Sequence, residues 1–166
     1  GLGDVYKRQG KTWGIIGLGE IGRKVADVAT AFGCNVIYYS TSGRNANPNY
    51  ERVGFDELLE KSDIISIHAP LNEKTNNLIN KAAFDKMKNS AVLINVGRGP
   101  IVNEADLVDA LNENKIAAAG LDVISAEPMK RDNPLYGYND SRRLIITPHI
   151  AWATNEARQR LSLIHI

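Results

Sequence analysis

Residues 12–22 read TWGIIGLGEIG, and this stretch decides the fold of the 166-residue chain. Its first half, Thr12–Ile16, is a short apolar run rich in β-branched residues, which predicts a buried strand. Residues 17–22 then match the pattern GxGxxG, and a helical pattern begins at Glu20. A glycine pattern of this kind is a weak signal alone, but it indicates a binding turn when it leaves a strand and opens a helix.

The three glycines each meet a different requirement of such a turn. Gly17 permits the tight turn, Gly19 lets a pyrophosphate approach the backbone, and Gly22 lets the helix pack closely on the sheet. Glu20 and Ile21 begin the helix, whose N-terminus offers free N–H groups and a positive dipole end to phosphates. We therefore predict a dinucleotide site here. The alternative is a glycine-rich turn that binds nothing.

Strands and helices alternate on both sides of this turn. Strands are predicted at residues 12–16, 35–39, 64–68, 91–96, 116–123 and 144–146, and helices at 20–32, 55–59, 80–87 and 104–111. Asn80 and Asn103 are predicted N-caps. The first helix carries an apolar stripe of Ile21, Val25, Val28, Ala29 and Phe32. The strands are continuously apolar, as in parallel strands covered by helices on both faces, so we predict an α/β fold with a doubly wound parallel sheet (Rossmann fold).

The end of the second strand bears on which dinucleotide is bound. An acidic residue at this position, about 20 residues beyond the glycine turn, would hydrogen-bond the adenosine ribose of NAD. The segment instead holds Ser40, Thr41 and, slightly later, Arg44. Small hydroxyls followed by an arginine would tolerate a 2′-phosphate, so NADP is at least as plausible as NAD. The alternative is that Arg44 is a solvated loop charge.

The composition excludes several classes of protein. The 20 Lys and Arg residues nearly balance the 19 Asp and Glu residues, which gives no electrostatic footprint for nucleic acid or an anionic membrane. The sequence has no stretch of roughly 20 apolar residues, the length that a membrane span needs. Cys34 is the single cysteine, so we expect it to be buried in a protein of a reducing compartment, the cytoplasm. Without a Cys/His cluster, no metal site is expected.

Both ends of the chain depart from the pattern of the domain. Residues 1–9 (GLGDVYKRQ) have no apolar region of a signal peptide, and residues 161–166 (LSLIHI) break a polar helical pattern. We expect both segments to be non-native sequence. The dinucleotide-binding domain is then predicted to span residues 10–160.

Polar residues follow the later strands at the edge where ligands of open α/β sheets bind. Arg98 follows the fourth strand, Asp122 ends the fifth, Glu127 comes shortly after it, and His149 follows the sixth. An arginine, a glutamate and a histidine at one edge can supply a carboxylate clamp, a charged partner and a proton donor.

Six motifs, in one order along roughly residues 10–160, also point to a family. They are residues 17–22 (GLGEIG), 67–71 (IHAPL), 95–99 (NVGRG), 120–123 (GLDV), 127–128 (EP) and 147–150 (TPHI). The chain resembles the D-isomer-specific 2-hydroxyacid dehydrogenases, which transfer a hydride between NAD(P) and a D-2-hydroxy acid or 2-oxo acid.

The resemblance implies roles for individual residues. Arg98 would bind the substrate carboxylate and carbonyl oxygen, His149 would be the acid/base, and Glu127 would hold His149 in its protonated form. Asp122 would face the nicotinamide, with a purely structural role as the alternative. The cofactor cleft would also be lined, largely through the backbone, by His68, Ala69, Pro70, Val96, Gly97 and Ala151. Trp152 is expected in the core or near the substrate.

The resemblance also implies that this chain lacks most of one of the family's two domains. The family's substrate domain comes mainly from sequence before the glycine turn, so it is expected to be largely absent here. We accordingly expect the isolated chain to bind dinucleotide weakly and to have little or no activity. The family is commonly dimeric, so a homodimer is a possible state.

Three other classes of dinucleotide-binding protein are alternatives to this family, and the sequence argues against two of them. Formate dehydrogenase has glutamine where this chain has Glu127, and short-chain dehydrogenases need a Tyr-x-x-x-Lys pair that the sequence lacks. A dinucleotide-sensing module resembling the C-terminal-binding-protein co-repressors stays open, because it shares the fold and similar residues.

Overall fold

The computed structural model describes residues 10–44 and 46–154. The two segments expected to be non-native, and residues 155–160 of the predicted domain, lie outside the described residues.

A single parallel sheet of seven strands organises the described chain. The strands are β1 Thr12–Ile16, β2 Asn35–Tyr39, β3 Glu51–Arg52, β4 Ile64–Ile67, β5 Val92–Asn95, β6 Ala118–Leu121 and β7 Leu144–Ile146. Their spatial order is β3-β2-β1-β4-β5-β6-β7. The chain therefore winds outward from β1 to one edge, returns to β4 beside β1, and winds to the other edge, which confirms the predicted doubly wound fold.

One strand was absent from the sequence prediction. β3 consists of two exposed charged residues, Glu51 and Arg52, which pair with Ile37 and Tyr38 of β2. Such a short edge strand has neither an apolar run nor an alternation that a pattern could detect. Its pairing with β2 alone defines it.

The connecting helices are α1 Glu20–Ala31, α2 Phe55–Lys61, α3 Lys81–Phe84 and α4 Glu104–Asn112, with 3₁₀ turns at Gly99–Ile101 and Pro134–Gly137. Both predicted N-caps are confirmed. The Asn80 side chain accepts a hydrogen bond from the Ala83 N–H, and the Asn103 side chain accepts one from Asp106 N–H at 3.0 Å. The predicted helix 80–87 is shorter than expected, because only its first turn is α-helical.

The two faces of the sheet are covered unequally. Successive residues of β1 enter separate cores: Ile15 packs with Ala26 of α1, whereas Ile16 joins the larger core with Leu58 of α2. The larger core also takes buried residues of α3 and α4. On the α1 face, Val92, Ile94 and Ala118 of β5 and β6 are only half-buried, and Ile145 of β7 is exposed.

The apolar stripe predicted on α1 is only partly confirmed, because Ala29 is buried and Val25 packs against the core, whereas its other three residues are exposed. Gly22, Ala26 and Ala29 are the buried residues of this helix, whereas Ile21 is 69% exposed and Val28 and Phe32 are also exposed. The reason is the close approach of the helix to the sheet: a Cβ on Gly22 would lie 2.2 Å from the Gly17 carbonyl oxygen. Only small side chains fit on that side.

Candidate functional site

The glycine turn sits between β1 and β4, where the winding of the sheet reverses. Gly17 has a φ of +93°, and a Cβ there would lie 2.8 Å from the Ala69 N. The turn after β1 therefore touches the loop after β4. Among residues 10–44 and 46–154, nothing lies within 4 Å of a Cβ placed on Gly19, and no side chain caps the α1 N-terminus. The first N–H groups of α1 thus face open space that suits an anionic group.

A cleft of about 510 Å³ opens at this turn, and we name it the glycine-turn cleft. It gathers much of the predicted cofactor set, namely Gly17, Gly19, Ser40, Thr41, Arg44, His68 and Pro70. It also takes residues that the sequence prediction missed, namely Leu18, Ser42, Asn72, Glu73 and Lys74. Their only common signal is that they follow the carboxyl ends of β1, β2 and β4, which is where ligands of this fold bind.

Two buried polar atoms in this cleft have no partner among the described residues, Ser40 Oγ and His68 Nδ1. Trp13 Nε1 donates to Ser66 Oγ at 2.9 Å, and the Ser66 hydroxyl lies 3.0 Å from His68 Nε2. Burial lowers the pKa of His68 to about 4, so its ring is neutral at pH 7. Buried polar atoms without partners are unfavourable, so a ligand that hydrogen-bonds Ser40 and His68 would fit this cleft.

The role of His68 through its main chain, as the sequence predicts it, stays a prediction. The His68 side chain lines the cleft and is half-buried. The side chains of Glu20 and Ile21 do not line the glycine-turn cleft. They are exposed and line a separate depression on α1, together with Arg23, Lys24 and Asp27. They can therefore meet a ligand of the glycine-turn cleft only through their backbone. Ala69 and Gly22 are buried beneath the turn.

A second cleft, of about 380 Å³, lies over the ends of β6 and β7, and we name it the histidine cleft. Its lining comprises Asp122, Ile124, Glu127, Pro128, Met129, Ile146, Thr147, Pro148 and His149. His149 Nδ1 and Glu127 Oε2 are 2.8 Å apart. This hydrogen bond holds the pKa of the Glu127 carboxyl below its usual value. Because an ionised carboxylate only accepts, Nδ1 carries a proton, and Nε2 is left to exchange one with a ligand.

The turn that carries His149 is held by Asp122, a buried residue. One Asp122 oxygen accepts from Thr147 Oγ1 at 2.5 Å and from Ile150 N at 2.9 Å, and the other accepts from Ala151 N at 2.8 Å. These bonds hold the turn in which His149 takes a φ of +54°. They match the structural alternative for Asp122. The role of Asp122 beside the nicotinamide stays a prediction, as does the role of Ala151 in lining the cofactor cleft.

We predict that the Asp122 carboxylate makes the free energy of unfolding depend on pH in the acid range. Burial raises the pKa of its carboxyl, but the hydrogen bonds from Thr147, Ala151 and Ile150 outweigh burial and place it below the ordinary 3.8. The ionised form therefore stabilises the fold above that value, and this contribution is lost as the pH falls below it. We expect Asp122→Asn to lower the free energy of unfolding at pH 7 by about 2 kcal/mol.

Urea denaturation of the two proteins from pH 7 to pH 2.5 measures this difference, which should shrink as the pH falls. Asp109→Asn on the exposed side of α4 is the matched control and should behave like the parent. An Asp122→Asn variant as stable as the parent at pH 7 would contradict the prediction.

The turn that carries Arg98 is held by a second buried polar residue. The fully buried Asn95 donates from Nδ2 to the Arg98 carbonyl oxygen at 3.0 Å and accepts from Gly97 N at 3.0 Å. The Arg98 guanidinium is exposed, and its Nη1 donates to the Gly97 carbonyl oxygen at 2.8 Å. Arg98, Val96 and Gly97 follow β5, between the two clefts along the sheet edge, but they line neither cleft.

Trp152 lies next to the histidine cleft rather than in the core. Its side chain is exposed, and Nε1 donates to the His149 carbonyl oxygen at 2.7 Å. The expectation of a core role is therefore wrong. Cys34, by contrast, is buried as expected.

Two further searches cover only the described residues. No helix there is both long and apolar enough to cross a bilayer. No group of three or more His, Cys, Asp and Glu side chains in residues 10–44 and 46–154 could hold a metal ion.

Comparison with known proteins agrees with this geometry. The family model described as "D-isomer specific 2-hydroxyacid dehydrogenase, NAD binding domain" matches residues 3–151. A hydroxypyruvate reductase of Blautia hydrogenotrophica is 49% identical over 154 residues, which cover 92% of this chain and 47% of that protein.

Two solved structures show the same fold with different dinucleotides. The D-lactate dehydrogenase of Lactobacillus jensenii with NAD⁺ matches with a TM-score of 0.80 and 36% identity, over 96% of this chain and 51% of that one. An acyclic imino acid reductase in complex with NADPH and D-arginine matches with a TM-score of 0.83 and 40% identity, over 94% and 49% of the two chains.

These matches cover nearly all of this chain but about half the length of the curated relatives. The residues that the family model matches include the glycine turn and the strand ends described above. The chain belongs to the D-isomer specific 2-hydroxyacid dehydrogenase family, and it carries that family's NAD-binding domain.

Proposed function

We propose that this chain is the cofactor-binding half of an NAD(P)-dependent reductase of small 2-oxo acids, which also oxidises the corresponding D-2-hydroxy acids. The observation that carries the proposal is the His149–Glu127 pair, 2.8 Å apart at the same edge of the sheet as the glycine turn. An imidazole held by a carboxylate, with its second nitrogen facing a cleft, is suited to general acid/base catalysis.

The proposed reaction divides between cofactor and protein. A bound NADH or NADPH would supply a hydride to the carbonyl carbon of the substrate. His149 Nε2 would donate a proton to the carbonyl oxygen, and Glu127 would stabilise the protonated imidazole. Arg98 would bind the substrate carboxylate through its planar, two-pronged guanidinium, for which it would turn away from the Gly97 carbonyl oxygen.

The residues of the glycine-turn cleft suit a dinucleotide. The N–H groups at the start of α1 would bind the pyrophosphate. Ser40 Oγ and His68 Nδ1, which have no partner among the described residues, would hydrogen-bond the dinucleotide. His68, Ala69, Pro70, Val96 and Gly97 would line the cofactor path. A homodimer and a cytoplasmic location stay predictions.

The test of the function is turnover. The full-length protein that carries this domain is assayed with NADH and NADPH against a panel of 2-oxo acids that includes glyoxylate, hydroxypyruvate and pyruvate. We expect absorbance loss at the nicotinamide band with at least one of them. Dinucleotide binding without turnover of any of these acids would instead favour the dinucleotide-sensing module.

We infer that NADPH is bound at least as tightly as NADH. The end of β2 offers Ser40, Thr41 and Ser42 rather than a carboxylate, and Arg44 lines the same cleft. We expect Arg44→Ala to weaken NADPH binding by about 10-fold, because a guanidinium–phosphate contact is lost, and to leave NADH binding nearly unchanged.

Fluorescence titration with both nucleotides measures the two dissociation constants. Arg131→Ala replaces an exposed arginine outside both clefts and controls for general charge. Equal weakening of both nucleotides, or of neither, would contradict the inference.

A further inference from the structure

Glu104 is a buried carboxylate that the proposed reaction does not use. It is the first residue of α4 and only 8% exposed. Its Oε1 accepts from the Ser125 N–H at 2.6 Å, and its Oε2 accepts from Ser125 Oγ at 2.6 Å and from Asn133 Nδ2 at 2.7 Å. A buried carboxylate is unfavourable unless its oxygens are hydrogen-bonded, and here three neutral donors converge on it.

The three bonds fasten one particular segment, residues 125–133, to the start of α4. Ser125 stands two residues before Glu127 and Asn133 six residues after it, so both sides of Glu127 are tied to one side chain. The segment contains neither helix nor strand. It therefore has no backbone ladder to hold Glu127, and its conformation depends on contacts of this kind.

Two more contacts place the same segment. The Ile124 N–H donates to Glu127 Oε1 at 3.3 Å. Gly99, next to Arg98, packs so closely on the chain at Ile124 that an added Cβ would lie 2.0 Å from its carbonyl group. The loop after β5 and the loop after β6 thus meet backbone to backbone, next to the hydrogen bonds that Ser125 donates to Glu104.

We propose that Glu104 is a positioning residue, which holds residues 125–133 through Ser125 and Asn133 so that the Glu127 carboxylate meets His149 Nδ1. The consequence for turnover rests on the proposed function, whereas the tie between Glu104 and Glu127 does not. Asn95, Glu104 and Asp122 then form a set: each is a buried polar residue that holds one turn, those of Arg98, Glu127 and His149 respectively.

The test replaces Glu104 by glutamine in the full-length protein that carries this domain. An amide nitrogen cannot accept the hydrogen bonds that one carboxylate oxygen accepts, so the segment loosens while the side-chain volume is kept. We expect kcat for the 2-oxo acid to fall by about 10- to 100-fold, as for a displaced catalytic group, with dinucleotide affinity unchanged. Glu113→Gln, at the exposed end of the same helix, is the control and should match the parent.

A double variant separates positioning from general stability. If Glu104 acts through Glu127, then Glu104→Gln lowers kcat no further once Glu127→Gln is already present. A residue that merely supports the fold would lower kcat by the same factor in both backgrounds, and that result would overturn the proposal. Ser125→Ala, which removes one of the three donors, should show the same pattern with a smaller effect, including if Glu104→Gln does not fold.

A second readout needs no turnover. Carbon-13 NMR of labelled glutamate follows the Glu127 carboxyl, whose pKa lies below its usual value because His149 donates to it. In Glu104→Gln or Ser125→Ala this pKa should rise toward its ordinary value, and in Glu113→Gln it should not move. An unmoved pKa of Glu127 would overturn the proposal. If the protein reduces none of the 2-oxo acids, the proposed function fails, and this titration still decides the role of Glu104.

Discussion

Replacing His149 by alanine is expected to lower kcat for the 2-oxo acid by about 100- to 10,000-fold, the usual contribution of a general acid. His149 lines the histidine cleft, and because Glu127 occupies its Nδ1, Nε2 is the nitrogen left for the substrate. It does not line the glycine-turn cleft, so the dissociation constant of the dinucleotide should change little. Steady-state kinetics and fluorescence titration on the full-length protein measure the two quantities.

The Glu127→Gln variant refines this expectation. Glutamine keeps the size of the side chain and can still accept from Nδ1, but it removes the charge that stabilises a protonated imidazole. Its kcat should therefore fall less than that of His149→Ala. Glu113→Gln serves as the matched exchange at an exposed position. Turnover by His149→Ala within threefold of the parent would show that another group moves the proton.

Replacing Gly99 by alanine is expected to lower both stability and turnover. The new Cβ would lie 2.0 Å from the carbonyl carbon and oxygen of Ile124 and 2.5 Å from the Ser125 N. Backbone atoms cannot rotate away as the end of a side chain can, so the loops after β5 and β6 must separate. Overpacking of this kind lowers the free energy of unfolding by about 1–3 kcal/mol. Because Arg98 and Glu127 lie on the two loops, kcat should fall with it.

Gly120→Ala is the matched control for this exchange. Gly120 lies in β6, and a Cβ there would meet no described residue within 4 Å. Alanine at such a strand position should be neutral or stabilising by about 0.5 kcal/mol. Urea denaturation followed by circular dichroism measures both variants. Equal stability of Gly99→Ala and Gly120→Ala would mean that the two loops are not in contact.

The elements of the sheet could be predicted because their signals are local. β1 and β4 are largely buried and so are mainly apolar in sequence, and the caps Asn80 and Asn103 each accept from an N–H three residues away. α1 was located correctly, but three of the five residues of its predicted apolar stripe, Ile21, Val28 and Phe32, are exposed. Periodicity finds an apolar stripe, whereas the distance between helix and sheet decides whether large or small residues face the core.

The candidate site could likewise be predicted from the sequence only in part. Sequence order placed Arg98, Glu127 and His149 after successive strands, and parallel strands bring such residues to one edge of the sheet. It did not predict that Asp122 holds Ile150, 28 residues away, or that Glu104 holds Ser125, 21 residues away. Nor did it predict that Ser40 Oγ and His68 Nδ1 would lie in one cleft with no hydrogen-bond partner in the described part of the chain. Such pairings depend on which loops the sheet brings side by side.

The sequence by itself therefore determined the strand–turn–helix unit at the glycines, the doubly wound order and the family. Each of these depends on neighbours in the chain or on the order of motifs. The tertiary structure decided how the turns of Arg98, Glu127 and His149 are held, because buried carboxylates and amides bond whichever N–H groups the fold delivers to them. The stretch at residues 12–22 shows both. The sequence alone predicted its glycine turn, whereas only the structure shows which side of the following helix packs on the sheet.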